Sequence, residues 1–263
     1  MNRGVILNKA SKSQFVALLT IFVFYLTGCA HQPPRPRMPA SPLVAPLGNP
    51  VSNAFATPQT IVHIVGPQET LWRIGKSYNV DMNTLMRVNR LTDPKKISNG
   101  QKLIIPNTLG PRPVIPLYPT RRWKYIVIHH TVTEAGNAFS IDKIHHDRGF
   151  WNGLGYHFLI DNGTSTKMEG QIEVGPRWIK QQIGAHANTG GMNEMGIGIS
   201  LVGNYSEQPV TPRMLDSLVY LTKVLQQYYQ IPSDHVIRHN DVPGKSTECP
   251  GTLFPWREFK QRV

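Results

Sequence analysis

The stretch "YIVIHHT", residues 125–131, decides how this chain is to be read. Tyr125, Ile126, Val127 and Ile128 form an unbroken β-branched and aromatic run, the pattern of a strand covered on both faces. His129 follows directly, at a strand end where a side chain can face a cleft. Two further runs, "YHFLI" (156–160) and "GIGISLV" (196–202), read the same way. "TPRMLDSLVYLTKVLQQYYQ" (211–230) is an amphipathic helix, with Thr211 as N-cap, Pro212 as first residue and Leu215, Leu218, Thr222 and Leu225 on one face. Residues 121–263 are therefore expected to be α/β, a central mixed β-sheet flanked by helices.

Downstream lies "RHNDVPGKSTECPG" (238–251), with His239 after another short strand, "VI", and Cys249 ten residues on. Cys249 is one of two cysteines in 263 residues. The other, Cys29, bears on the compartment. Arg3, Lys9 and Lys12 precede the apolar run "FVALLTIFVFYL" (15–26), which is short for a bilayer span and reads as a signal peptide, residues 1–28. It ends in "LTGC", which resembles the lipobox of bacterial lipoproteins. That implies lipidation of Cys29 and a membrane partner through the lipid anchor. Ala30 after the cysteine implies the outer membrane, with the protein facing the periplasm of the cell envelope. The alternative is an ordinary secretory signal with a chance cysteine. With Cys29 lipidated, Cys249 is a leftover thiol, and it is a buried small hydrophobe, a nucleophile or a metal ligand.

The net charge is +12, from 28 Lys and Arg against 16 Asp and Glu. Without the leader's three cations it is about +9, still basic for this size. Outside the cytoplasm nucleic acid is not an expected partner, whereas anionic envelope polymers and lipid head groups fit. A basic surface with no specific partner is the plainer alternative.

Residues 29–60 are punctuated by proline and are expected to be an extended tether. A second proline-rich break, 108–120, separates a small region, 61–107, from the large one. In the small region Val62 and Ile64 frame a strand, "LWRIGKSY" and "DMNTLMRVN" have helical spacing, and "QKLIIP" closes as a strand after the Asn99-Gly100 turn. This βααβ order, with "ETLW", "NRL" and "ISNGQKLIIP", resembles a LysM domain. The resemblance implies binding of N-acetylglucosamine-containing glycans such as peptidoglycan. The implied contacts are Glu69 and Thr70 in one loop and Asn89 near the next turn. Gln68-Glu69-Thr70-Leu71 departs from the usual Gly-Asp-Thr-Leu.

Zinc accepts imidazole and thiolate in a tetrahedron that leaves a position for water in catalytic sites, and two His with one Cys make such a set. The ten-residue spacing of His239 and Cys249 does not establish it alone. "YIVIHHT", "GYHFLID", "GAHA", "GIGISLVGNY" and "RHND…TECPG", in that order, resemble the zinc-dependent N-acetylmuramoyl-L-alanine amidases, a family that includes phage-type amidases and peptidoglycan recognition proteins. The resemblance implies one Zn2+ held by His129, His239 and Cys249. It implies a thiolate at Cys249, favoured by the metal and by Lys245, and catalytic roles for Tyr156 and Thr247. Where some murein amidases carry Glu, this chain has Ser200. His186, on the substrate side, and His145 shape the site, while His130 and His157 are structural. The implied partners are glycan strands and stem peptides, and the implied reaction is hydrolysis of the amide between N-acetylmuramic acid and L-alanine by a monomer. A non-catalytic peptidoglycan receptor and a cysteine hydrolase using Cys249 with His239 are the competing readings.

Overall fold

The computed structural model describes residues 55–120, 122–150 and 152–263. The expected leader, Cys29 with its expected lipidation, and most of the proline-rich segment lie outside the described residues. The small region is a two-stranded antiparallel sheet of β1 (Gln59–Ile64) and β2 (Lys102–Thr108), covered by helices α1 (Leu71–Tyr78) and α2 (Met82–Val88). Leu71, Ile74, Tyr78 and Leu85 meet Leu103 and Ile105 in its core. Strand alternation turns Val62 outward, 43% exposed, and His63 inward, 1% exposed. The buried imidazole is satisfied by the Tyr78 hydroxyl at 3.0 Å and by the Glu69 carboxylate at 2.8 Å.

The large region holds strands β3 (Tyr125–His130), β4 (Phe158–Asn162), β5 (Glu169–Val174), β6 (Gly196–Leu201) and β7 (Val236–Arg238). Its helices are α3 (Ala138–Asp147), α4 (Pro176–Ile179), α5 (Met192–Met195), α6 (Pro212–Tyr229) and α7 (Trp256–Arg262). The sheet order is β5-β4-β6-β3-β7, with β5 antiparallel and the other neighbours parallel. The mixed α/β class read from sequence is the one observed. Thr211 caps α6, accepting from Met214 N at 3.3 Å, and Leu215, Leu218, Thr222 and Leu225 are all buried.

The period-2 alternation of strands sorts the side chains. Ile126, Ile128, Phe158, Ile160, Ile197, Ile199 and Leu201 pack with α6 and α7. The intervening residues face the other layer, where Leu159 meets α3 and Val127 meets α5. His129, one step from Ile128, shares the Val127 face, while His130 faces the α6 side and packs near Tyr205.

The small region is docked on the large one. Lys167, in the β4–β5 connection and 1% exposed at its side chain, pairs with Glu173 at 2.6 Å and donates to Ile64 O at 3.0 Å. Glu173 also accepts from Ala138 N, at the start of α3, at 2.5 Å. Burial works against the Lys167 ammonium, but the carboxylates of Glu173 and Glu69 outweigh it and raise its pKa. Asp161 is buried nearby, and burial together with the charge of Glu173 pushes its carboxyl well above the usual range. Gly100, at φ +79, lies so close to the Phe139 ring that a Cβ would meet it at 2.6 Å. Residues 108–120 run along this assembly: Pro116 O accepts from Trp178 Nε1 at 2.7 Å and Leu117 is buried in the large core.

Replacing Lys167 by Met leaves a buried carboxylate without its cation. Removing one partner of such a pair costs about 3–5 kcal/mol. Denaturant unfolding of Lys167→Met checks this, and unchanged stability would show that the contact contributes nothing.

Candidate metal centre

β3 and β7 are parallel neighbours with Ile128 beside Arg238, so His129 and His239 emerge together at their C-terminal ends. Their rings are 4.5 Å apart between centroids. The chain then makes a single turn, His239–Asp241, and the loop returns Cys249 beneath the same edge, with Asn240 N donating to Cys249 O at 3.0 Å. Cys249 Sγ lies 3.7 Å from His129 Nδ1 and accepts from His130 N at 3.4 Å. One ligand atom from each of His129, His239 and Cys249 falls within 4.8 Å of the others.

All three groups are neutral at pH 7. Burial, with His186 and His239 nearby, holds His129 well below the ordinary imidazole range. Burial and Lys245 lower His239 to about 4. Burial pushes the Cys249 thiol up to about 12, only partly offset by the His130 N–H. Without a metal the scaffold favours the thiol, because desolvation penalises a buried anion, so the thiolate expected from the metal together with Lys245 depends on the ion. The donor set fits a metal ion. His239 Nε2 is buried without a hydrogen-bond partner among the described residues, and two imidazoles with one thiolate suit a borderline-soft divalent cation.

Tyr156 stands beside this set, its ring 5.3 Å from that of His129 and 5.3 Å from that of His145. Burial pushes its hydroxyl to about 12, so it carries its proton at neutral pH. His145 Nδ1 accepts from Gly155 N at 2.9 Å and so fixes the backbone before Tyr156. Thr247 is exposed, and its Oγ1 accepts from Cys249 N at 3.2 Å. Ser200 pairs with His129 across the β3–β6 register and is fully buried. His157 accepts from Gly198 N through Nδ1 at 2.9 Å and lies 3.1 Å from Gln182 O through Nε2, a structural placement.

His186 is buried against His129, with His129 Nε2 and His186 Nδ1 3.1 Å apart. Asn193, not singled out from sequence, holds the His186 loop. Its Oδ1 accepts from His186 N at 2.9 Å and Ala187 N at 3.0 Å. The three residues expected to contact sugar are distant in sequence from this centre and have their polar atoms engaged. Glu69 accepts from Gly66 N at 2.8 Å besides pairing with His63. Thr70 caps α1, accepting from Arg73 N at 3.3 Å. Asn89 accepts from Ile104 N at 2.6 Å and donates to Leu85 O and Ile104 O.

The family model described as N-acetylmuramoyl-L-alanine amidase matches residues 119–252, and the LysM domain model matches residues 63–106. The chain belongs to the N-acetylmuramoyl-L-alanine amidase family and carries a LysM domain. It is 33% identical over 145 residues to peptidoglycan-recognition protein SC1a of Drosophila melanogaster, covering 52% of this chain and 71% of that protein. It is 29% identical over 152 residues to a peptidoglycan recognition protein of Trichoplusia ni, covering 54% and 76%. Among solved structures, it is similar to the N-acetylmuramoyl-L-alanine amidase LysC from Clostridium intestinale URNW, at 39% identity, 54% and 85% coverage and a TM-score of 0.45.

The protonation states predict the stoichiometry of metal uptake. Above the range in which His239 titrates, both histidines are already neutral, and below about 12 Cys249 keeps its proton. Binding as a thiolate therefore releases about one proton per metal near pH 6, and affinity falls about tenfold from pH 6 to pH 5. Calorimetric titration in buffers of different ionisation enthalpy measures this. Release of two protons would mean that a histidine of the free site is charged.

Proposed function

We propose that the protein is a zinc-dependent N-acetylmuramoyl-L-alanine amidase, cleaving the amide between the lactyl group of N-acetylmuramic acid and the L-alanine of the stem peptide. The observation that carries this reading is the convergence of His129, His239 and Cys249 on one point at the strand ends. Family membership and the LysM domain support peptidoglycan as the substrate. Zinc, when bound, supplies a Lewis acid that acidifies a water and polarises the scissile carbonyl.

The chain's own residues do the rest. His129, His239 and Cys249 would hold the ion through two imidazoles and a thiolate. Tyr156, protonated at working pH, donates a hydrogen bond to the oxygen on which negative charge develops. Thr247 accepts from the Cys249 amide with its oxygen, so its hydroxyl hydrogen is free for the same oxygen from the exposed side. Ser200 carries no charge beside His129, which leaves Tyr156 and Thr247 to perform the polar work that a glutamate performs in other murein amidases. The LysM domain holds glycan strands, and lipidation of Cys29 anchors the protein to the outer membrane, facing the periplasm; the "LTGC" stretch supports the anchor.

The likeness to peptidoglycan-recognition proteins favours a second reading, a receptor that binds without cutting. Incubation with purified murein separates the two: the enzyme liberates stem peptides with a free L-alanine amine, stops with chelator and resumes with zinc. Zinc-loaded protein that binds murein but releases no such peptide would be the receptor.

Cys249→Ala removes one ligand of three, so zinc content and turnover should be lost together. Retention of both would refute the ligand set. Tyr156→Phe removes one hydroxyl, with zinc and the melting temperature unchanged. Turnover should fall by roughly 10²- to 10³-fold, with little change in KM. A variant with normal turnover and a lowered melting temperature would make Tyr156 a packing residue.

A further inference from the structure

The His186 ring sits in a slot made for it. A Cβ at Gly198, on β6, would meet its Cδ2 at 2.5 Å, and a Cβ at Gly184 would collide with the same ring atom. The loop that carries it is tied on both sides. Gly184 N donates to Asn193 O at 2.7 Å, Ala185 N to Gly155 O at 2.9 Å, and Asn193 Oδ1 accepts from the amides of His186 and Ala187. Two glycines and an asparagine thus hold one buried imidazole in a single orientation, and the reaction described above gives that imidazole no task.

Its two nitrogens have partners that define where the protons are. Nε2 lies 3.2 Å from Gly196 O, which can only accept, so Nε2 carries the hydrogen. The ring is buried and neither of its hydrogen-bond partners is a carboxylate, so nothing compensates a charge on it; with the hydrogen on Nε2, Nδ1 has a lone pair. Nδ1 is 3.1 Å from His129 Nε2. The hydrogen between them therefore belongs to His129 Nε2, which leaves the lone pair of His129 on Nδ1, the atom 3.7 Å from Cys249 Sγ.

We infer that His186 is a positioning residue: the chain from Gly196 O through His186 to His129 fixes the His129 ring and its tautomer, so that Nδ1 presents its lone pair to the point shared with His239 and Cys249. A ligating histidine whose second nitrogen donates to a fixed acceptor is both better oriented and more basic toward the metal. Here the acceptor is another imidazole, itself oriented by a backbone carbonyl. The inference rests on the metal-dependent reading above and extends it behind the ligands.

Zinc affinity, measured by competition with a chromogenic chelator, tests it without recourse to activity. His186→Phe fills the slot but offers no acceptor, and zinc affinity should fall roughly 10- to 100-fold. His186→Asn places an acceptor oxygen near the position of Nδ1, and affinity should return to within about threefold of the parent. Folded His186→Phe that binds zinc as tightly as the parent overturns the inference, and so does His186→Asn that binds as weakly as His186→Phe. Long-range 1H–15N spectra of the zinc-loaded parent protein decide the matter if the variants do not fold. The proton of His186 should be found on Nε2, and finding it on Nδ1 overturns the inference. A parent protein that takes up no zinc, or releases no L-alanine terminus from murein, would instead defeat the functional reading itself.

Discussion

The site depends on the parallel pairing of β3 with its two neighbours. The register that sets Ile128 beside Arg238 places His129 next to His239, and the register with β6 sets His129 beside Ser200. Strand alternation then assigns His129 to the face of α3 and α5 and His130 to the opposite one. A slip of one residue would exchange them, because a single step reverses every side chain of a strand. The backbone of His130 still serves the site, since its N–H reaches Cys249 Sγ. Backbone hydrogen bonds in the middle of the sheet thus determine where three ligand atoms meet at its edge.

The electrostatics of that meeting point bear on which chemistry it can support. A cysteine nucleophile needs a thiolate at working pH, usually beside an imidazolium or another cation. The scaffold supplies the reverse: burial lifts the Cys249 thiol to about 12 and holds His129 well below the ordinary range. Neutral imidazoles and a thiol tolerate burial where an ion pair would carry a desolvation penalty. A divalent cation changes the balance, since it offsets the charge that makes the thiolate costly and needs the histidines in the neutral form they already hold. The same burial that disfavours covalent catalysis by Cys249 favours a metal-bound role.

Much of this was legible in the sequence because it is carried by local pattern. The buried strands, the capped helix α6 and the βααβ order show in periodicity, and His129, His239 and Cys249 show in their places after apolar runs and on a glycine- and proline-rich loop. What escaped is what three-dimensional pairing alone creates. Lys167 and Glu173 look like ordinary surface charges until β4 and β5 pair and the LysM domain covers them. Asn193 and the glycines around His186 carry no signal of their own, because their role is to leave or hold space. Glu69, Thr70 and Asn89 were legible as polar loop residues, but not that the fold engages their side chains in capping and in bracing β2.

The docking of the LysM domain changes what such a module can contribute. A freely linked module raises local substrate concentration by an amount set by the length and stiffness of its linker. Here residues 108–120 have little freedom. Tyr118 both donates to and accepts from the Tyr229 hydroxyl at 3.1 Å, Leu117 is buried in the large core, and Ser77 of α1 donates to Arg112 O at 3.0 Å. The Lys167–Glu173 pair closes the contact from the other side, with its ammonium on the carbonyl of Ile64. A glycan strand held by this module would approach the strand ends at a fixed offset rather than over a range of distances. A module held in this way would act through geometry as well as concentration, and the buried charges it covers tie its presence to the stability of the five-stranded sheet.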